Sequence, residues 1–286
     1  MICYDGAMLS LLPFLLAAQL QSEPLTVEAD IAWIARGEFC EPETVLPLPD
    51  DTLLVSNVCD FRVPGNGFLT LLDKDGNAID WRILEGLDAP LGMTLHNGLL
   101  YVVDNNTVKT FRWPDYEPVS TIALETEVAN DLAVGPDDTI YVTDSARGEV
   151  IVVSPELEQS VLTGEPQFPG ANGIHINNDN LWVGGGRLWH VDLRDGNVTA
   201  VEPAWLGGID GIEQEPDGTL QLTPVGGSLI RLLEPIEIHK GDGVSSANHG
   251  YAPNLDLALI PTGFDNTVIA IRVGEDHPVD SPHGNR

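Results

Sequence analysis

Apolar and polar residues alternate in short runs along nearly the whole chain, and turns rich in Gly, Asp and Asn cut the runs apart. In "ANDLAVGPDDTIYVTD", which starts at Ala129, residues Leu132, Val134, Ile140 and Val142 take core positions around a Pro136-Asp137-Asp138 hairpin turn. That strand opens on Asn130 and Asp131, an amide and a carboxylate where apolar residues are expected. The pattern recurs in "CEPETVLPLPDDTLLVSN", "PLGMTLHNGLLYVVDN", "ANGIHINNDNLWVGGG", "IDGIEQEPDGTLQLTP" and "ANHGYAPNLDLALIPT". The opening position falls on Glu41, Leu91, Asn130, Asn172, Asp210 and Asn248. Successive copies stand about 40 residues apart, the first step longer, which suits a four-stranded propeller blade.

A third strand follows each hairpin, as in "GEVIVVS", "RLWHVDL", "SLIRLLE" and "TVIAIRV", and most copies add a fourth, such as "EQSVLTG". Six copies predict an all-β, six-bladed β-propeller over residues 23–273. The last blade lacks an outer strand after Val273, while "PLTVEADIAWIA" has no blade of its own. The strand from Leu25 to Ile34 is therefore expected beside Thr267–Val273, closing the ring. Residues 274–286 carry no apolar pattern and read as a loose polar tail.

The innermost strand of every blade lines the axis, so six strand starts converge on one mouth. Five of the six residues at that position bear a side-chain oxygen. Glu41, Asn130, Asn172 and Asp210 offer two carboxylates and two amides from four blades. An oxygen-only set suits a hard dication, calcium before magnesium, and the lack of His or Cys argues against zinc. The competing reading makes these residues strand terminators bonded to loop amides. His249, beside Asn248, is either an acid/base at the mouth or a hydrogen-bonded strand end.

Charge sharpens the list of partners. Against 44 acidic residues stand 13 Lys and Arg, a formal net charge of -31, which disfavours nucleic acid and anionic membrane surfaces. The apolar run from Ala7 to Leu20, followed by a polar break, fits the core of an export signal over residues 1–22, although no basic segment precedes it and Met8 offers a second start. An uncleaved anchor is the other reading. Export gives the cysteines a meaning: Cys40 and Cys59 lie equally far out from the "LPDDT" turn, so either a cross-strand disulfide or two buried thiols is expected. "VGGGRLW" is not followed by a helix and does not make a phosphate loop, "DKDGN" reads as a hairpin turn, and no GxSxG occurs. Asn105 and Asn197 start N-x-T sequons.

Through "CEPETV", "ANDLAVGPDD", "GANGIHI", "GGIDGIEQEPDG" and "YAPNLDLALIPTGFDNTVIAIRV", the chain resembles the senescence marker protein (regucalcin), gluconolactonase and luciferin-regenerating-enzyme family of six-bladed propellers. The resemblance runs from about Glu38 to Val273. It implies that Glu41, Asn172 and Asp210 bind a catalytic dication, with Asn130 a further ligand or a substrate contact. It also implies hydrolysis of lactones or related esters, sometimes organophosphates. With the export signal, an exported hydrolase is expected, with Asp210 as base or nucleophile and Leu91, Asn130 and Asn248 at the substrate. Val128 stands where gluconolactonase-like members often carry a basic residue, and Leu91 makes one edge of the mouth apolar. Both point to a substrate less polar than a sugar lactone. The alternative is a non-enzymatic propeller whose calcium ties the blades together. Oligomeric state stays open.

Overall fold

The computed structural model describes residues 25–163, 167–201, 207–231, 236–239 and 245–273. The expected leader over 1–22 and tail over 274–286 lie outside them. Two strands precede the first blade: β1 (Leu25–Glu28) and β2 (Ile31–Arg36). Blade one is β3 (Pro42–Pro47), β4 (Leu53–Asn57), β5 (Gly67–Leu72) and β6 (Ala78–Leu87). Blade two is β7 (Pro90–His96), β8 (Leu99–Asp104), β9 (Thr107–Arg112) and β10 (Glu117–Ala123). Blade three is β11 (Ala129–Val134), β12 (Ile140–Asp144), β13 (Glu149–Val153) and β14 (Gln159–Val161). Blade four is β15 (Ile174–Asn177), β16 (Asn180–Val183), β17 (Trp189–Asp192) and β18 (Asn197–Ala200). Blade five is β19 (Ile209–Gln214), β20 (Leu220–Pro224), β21 (Ser228–Arg231) and β22 (Ile236–His239). Blade six has β23 (Gly250–Ala252), β24 (Leu257–Thr262) and β25 (Thr267–Arg272), and β2 completes it.

Each blade is an antiparallel meander, so its buried face must pack against the next blade. The apolar core accordingly divides into six clusters, one at each seam. Blades two and three, for example, share Leu91, Val103, Leu132 and Val142. Blades six and one share Ala35, Val45, Leu259 and Ala270.

The expected closing strand is two strands. Its second half, β2, pairs antiparallel with β25 from Ile31↔Ile271 to Arg36↔Thr267 and closes blade six as anticipated. Its first half, β1, runs parallel to β22 and adds a fifth strand to blade five. The break falls at Ala29-Asp30. There the Arg272 N–H donates to the Asp30 carbonyl (2.9 Å) and the Arg272 guanidinium meets its carboxylate (3.3 Å). A strand anchored at that point turns onto the neighbouring blade. Cys40 and Cys59 are joined in a disulfide at the open end of the β3–β4 hairpin, with Cα atoms 4.8 Å apart.

Candidate functional site at the strand-start mouth

Backbone register decides which residues share the ring. In four blades the innermost strand has a bulge at its start, between Pro42 and Val45, Pro90 and Met93, Ala129 and Leu132, and Ile209 and Gly211. The bulge equates Glu43, not Glu41, with Leu91, Asn130 and Asp210. Glu41 precedes β3 in a left-handed conformation (φ 50°) and is exposed. Its N–H donates to Asn266 Oδ1 of blade six (2.7 Å), while its carbonyl accepts from Val58 N–H (3.2 Å). Aligning on the Glu before Pro therefore places the ring two residues early. Glu43 lies deep beside the axis, where burial first, then Asp131 and Glu41, push its carboxyl up to about 7. Asn172 and Asn248 fill the same position in blades four and six. Asn172 N–H donates to Gly184 O (3.3 Å), and Asn248 O accepts from Val45 N–H of blade one (3.3 Å).

Two alternating devices hold these strand starts together. Buried hydroxyls of Ser56, Thr143 and Thr223 accept the backbone N–H of Thr44, Asp131 and Gly211 (2.9, 3.0 and 3.1 Å). Each also donates to a carbonyl of the following blade: Leu91 (3.0 Å), Asn172 (2.7 Å) and Ala247 (3.0 Å). Blades one and two, three and four, and five and six are thus stitched in pairs. The intervening seams close by direct backbone approach. A Cβ on Gly92 would lie 2.1 Å from Asp131 Oδ1 and 2.6 Å from its Cα, and one on Gly173 would lie 2.0 Å from the Asp210 carbonyl oxygen. Only glycine leaves that room.

Asp131, whose role is not legible in the sequence, sits at the centre. Its carboxylate accepts the N–H groups of Leu132 (2.8 Å) and Ile174 (3.0 Å) and meets the side chain of Asn248 from the opposite blade. Burial raises it to about 7 against those hydrogen bonds. The Asp131–Asn248 contact spans the axis. Its only sequence signal was the polar residue following Asn130. His249 is 1% exposed, its Nδ1 lies 3.0 Å from Thr223 Oγ1, and it packs against Gly211. That places it as a joint between blades five and six.

The loops entering the mouth are pinned by the last residue of the second strand. Asn57 Oδ1 accepts Cys40 N–H (3.0 Å), Asp104 accepts Asp88 and Ala89 N–H (2.8 and 2.7 Å), and Asp144 accepts Glu127 and Val128 N–H (2.6 and 3.2 Å). Burial alone would raise the Asp144 carboxyl, but the N–H groups of Glu127, Arg147, Val128 and Ala146 bring it below its usual value. Antiparallel alternation puts the β4–β5, β10–β11, β20–β21 and β24–β25 connections at this same end. They carry the exposed Phe61 (57%), Val63, Val128, Val225 and Phe264 (86%). The mouth is acidic at its centre and apolar on its rim.

Asn172 Oδ1 is buried and has no hydrogen-bond partner among the described residues. An orphaned amide oxygen on a ring that also holds Glu43, Asn130 and Asp210 fits a hard dication. Among the described residues, no three His, Cys, Asp or Glu side chains gather as a ligand set. A cation there needs the amide oxygens. No helix among the described residues is long and apolar enough to cross a membrane.

No family model matches the chain, and no curated protein matches it significantly in sequence. Solved structures do match. A catalytically inactive variant of virginiamycin B lyase from Staphylococcus aureus, with quinupristin, aligns at TM-score 0.58 and 14% identity over 85% of this chain and 99% of its own. A "putative gluconolactonase" aligns at TM-score 0.63 and 17% identity over 87% of this chain and 94% of its own. In fold, the chain is a six-bladed β-propeller similar to that of the gluconolactonase-like structure.

Proposed function

We propose that the protein is an exported, divalent-metal-dependent hydrolase of small lactones or esters, acting at the strand-start mouth. The orphaned, buried Asn172 Oδ1 carries the reading. Glu43, Asn130, Asn172 and Asp210 would hold the ion, with Glu43 taking the place the sequence suggested for Glu41. Calcium or a similar hard dication supplies Lewis-acid polarisation of an ester carbonyl when bound. Asp210 would take the proton of the attacking water and return it to the leaving alkoxide as the acyl–oxygen bond breaks, or, as nucleophile, would form an acyl-enzyme that a water then hydrolyses. The apolar rim of Phe61, Val63, Val128, Val225 and Phe264 favours a substrate with an alkyl or aryl body over a polyhydroxylated sugar acid, while Leu91, expected at its edge, is buried in the seam between blades two and three. A structural neighbour, the virginiamycin B lyase solved with quinupristin, supports a small-molecule substrate on this fold.

The test is a panel of alkyl lactones, aryl esters and gluconolactone, assayed with calcium and after chelation. Chelator-sensitive turnover favouring the apolar members is expected. The absence of any His, Cys, Asp or Glu triad among the described residues favours a second reading, a scaffold whose ion only ties blades together. Calcium-dependent stability with no turnover across the panel would select it.

A further inference from the structure

The channel has a second opening, at the end where the hairpin turns lie, and nothing in the proposed hydrolysis uses it. A cavity of about 500 Å³ occupies this end, within the range of small-ligand pockets. Its walls are mixed, with Leu46, Met93, Ile176 and Leu255 supplying apolar surface and Thr94, His96 and Tyr251 polar surface. Its entrance passes between exposed Pro49, Asp51, Pro253 and Asn254. At the inner end Asp131, Asn248 and Thr44 line the floor, and His175 and Glu213 line one side.

Three observations define the ligand. First, Thr44 is 3% exposed, lines the cavity, and its Oγ1 has no hydrogen-bond partner among the described residues. Second, the Glu213 carboxylate lies 3.8 Å from His175 Nδ1, and about a quarter of each side chain's surface stays open (29% and 23%). Both line this cavity and an adjoining one shared with Gln214, Glu215 and Tyr251, so that open surface faces solvent partly walled by protein. Third, no Lys or Arg lines the cavity, in a chain of net charge -31. Its carboxyl groups are Asp51, Asp131 and Glu213, and burial holds Glu213 up to about 8, so a negative field that favours cations over anions develops inside as pH rises past that value.

We infer that this cavity is a binding site for a small organic ammonium ion, its alkyl or aryl body against the apolar surface and its N–H groups directed to Glu213 and the Thr44 hydroxyl. Burial leaves His175 neutral, its pKa lowered to about 4, so it offers an acceptor instead of a competing charge. The site lies on the far side of the Asp131–Asn248 contact from the ring, and it is independent of the hydrolase reading.

Calorimetric titration of the purified full-length protein with hexylamine, hexan-1-ol and hexanoate, in chelator at about pH 9, where Glu213 is ionised and hexylamine is still an ammonium ion, tests it. Saturable one-to-one binding of hexylamine is expected, at least tenfold tighter than hexanol, with none for hexanoate. Glu213→Gln should weaken hexylamine by about tenfold or more, the usual weight of a charged hydrogen bond, and Thr44→Val by a smaller factor. Glu43→Gln, on the ring, should leave binding unchanged. Equal binding of hexanol, indifference to Glu213→Gln, loss through Glu43→Gln alone, or no heat at millimolar hexylamine would each overturn the assignment. Circular dichroism of each variant separates lost binding from lost folding.

Discussion

At the scale of single residues, the ring separates holding an ion from moving a proton. Asp210→Asn and Glu43→Gln each remove one of two carboxylates while keeping an oxygen at the position, so calcium affinity should fall in both. At saturating calcium, Glu43→Gln should recover most hydrolysis. Asp210→Asn should stay down by roughly two to four orders of magnitude, the contribution of a general base. Steady-state rates against calcium concentration make the comparison, and equal recovery would leave Asp210 as a ligand only. Gly92 tests the seam beside them. Gly92→Ala forces a methyl against both the Asp131 carboxylate and its Cα, so blades two and three must separate. A loss of about 1–3 kcal/mol is expected, in line with overpacked cores, and chemical denaturation measures it. These contacts were not legible in the sequence, because the glycine and the aspartate it accommodates are 39 positions apart on different blades.

Elements show where pairing, more than pattern, determines stability. β2 supplies the outer edge of blade six, whereas β1 only adds a fifth strand to blade five. A chain starting at Asp30 should therefore keep a cooperative thermal transition close to that of the parent. A chain starting at Glu38 leaves the β25 edge bare and exposes the apolar seam that Ala35 shares with blade one, so it should melt much lower or aggregate. Similar melting of the two truncations would show that β2 is dispensable. Alternation made both strands legible as strands. It could not reveal that a break at Asp30 sends them to different blades, because strand period carries no information about the partner.

For the whole molecule, the axis concentrates negative charge that water would otherwise disperse. Burial first, and then Asp131, raise the Glu213 carboxyl to about 8. A carboxyl whose folded pKa exceeds its unfolded value near 4.5 holds its proton in the folded state while the unfolded chain has lost it. Its contribution is complete below about pH 4.5 and disappears as pH rises toward 8. His175, lowered to about 4 by burial, acts oppositely and costs stability as pH falls from about 6.5 to 4. In metal-free protein, Glu213→Gln should therefore gain on the parent steadily from pH 5 to pH 8, as read from denaturant midpoints. A difference that does not change with pH would show that Glu213 is fully hydrated.

What the sequence determined by itself was everything carried by a repeat of period two inside a repeat of about 40 residues. Six blades, their hairpins, the ring position in five of them and an oxygen-rich mouth follow from Leu132, Val134, Asn130 and their counterparts, because alternation records which face is buried. Tertiary structure alone decided the rest. It put Glu43 in the ring in place of Glu41, since a bulge adds a residue without disturbing the apolar pattern. It brought Asp131 to Asn248 across the axis and sealed His249 between two blades. It opened a second cavity at the turn end from residues of all six blades. Such contacts join positions far apart in the chain, and they exist only once the ring has closed.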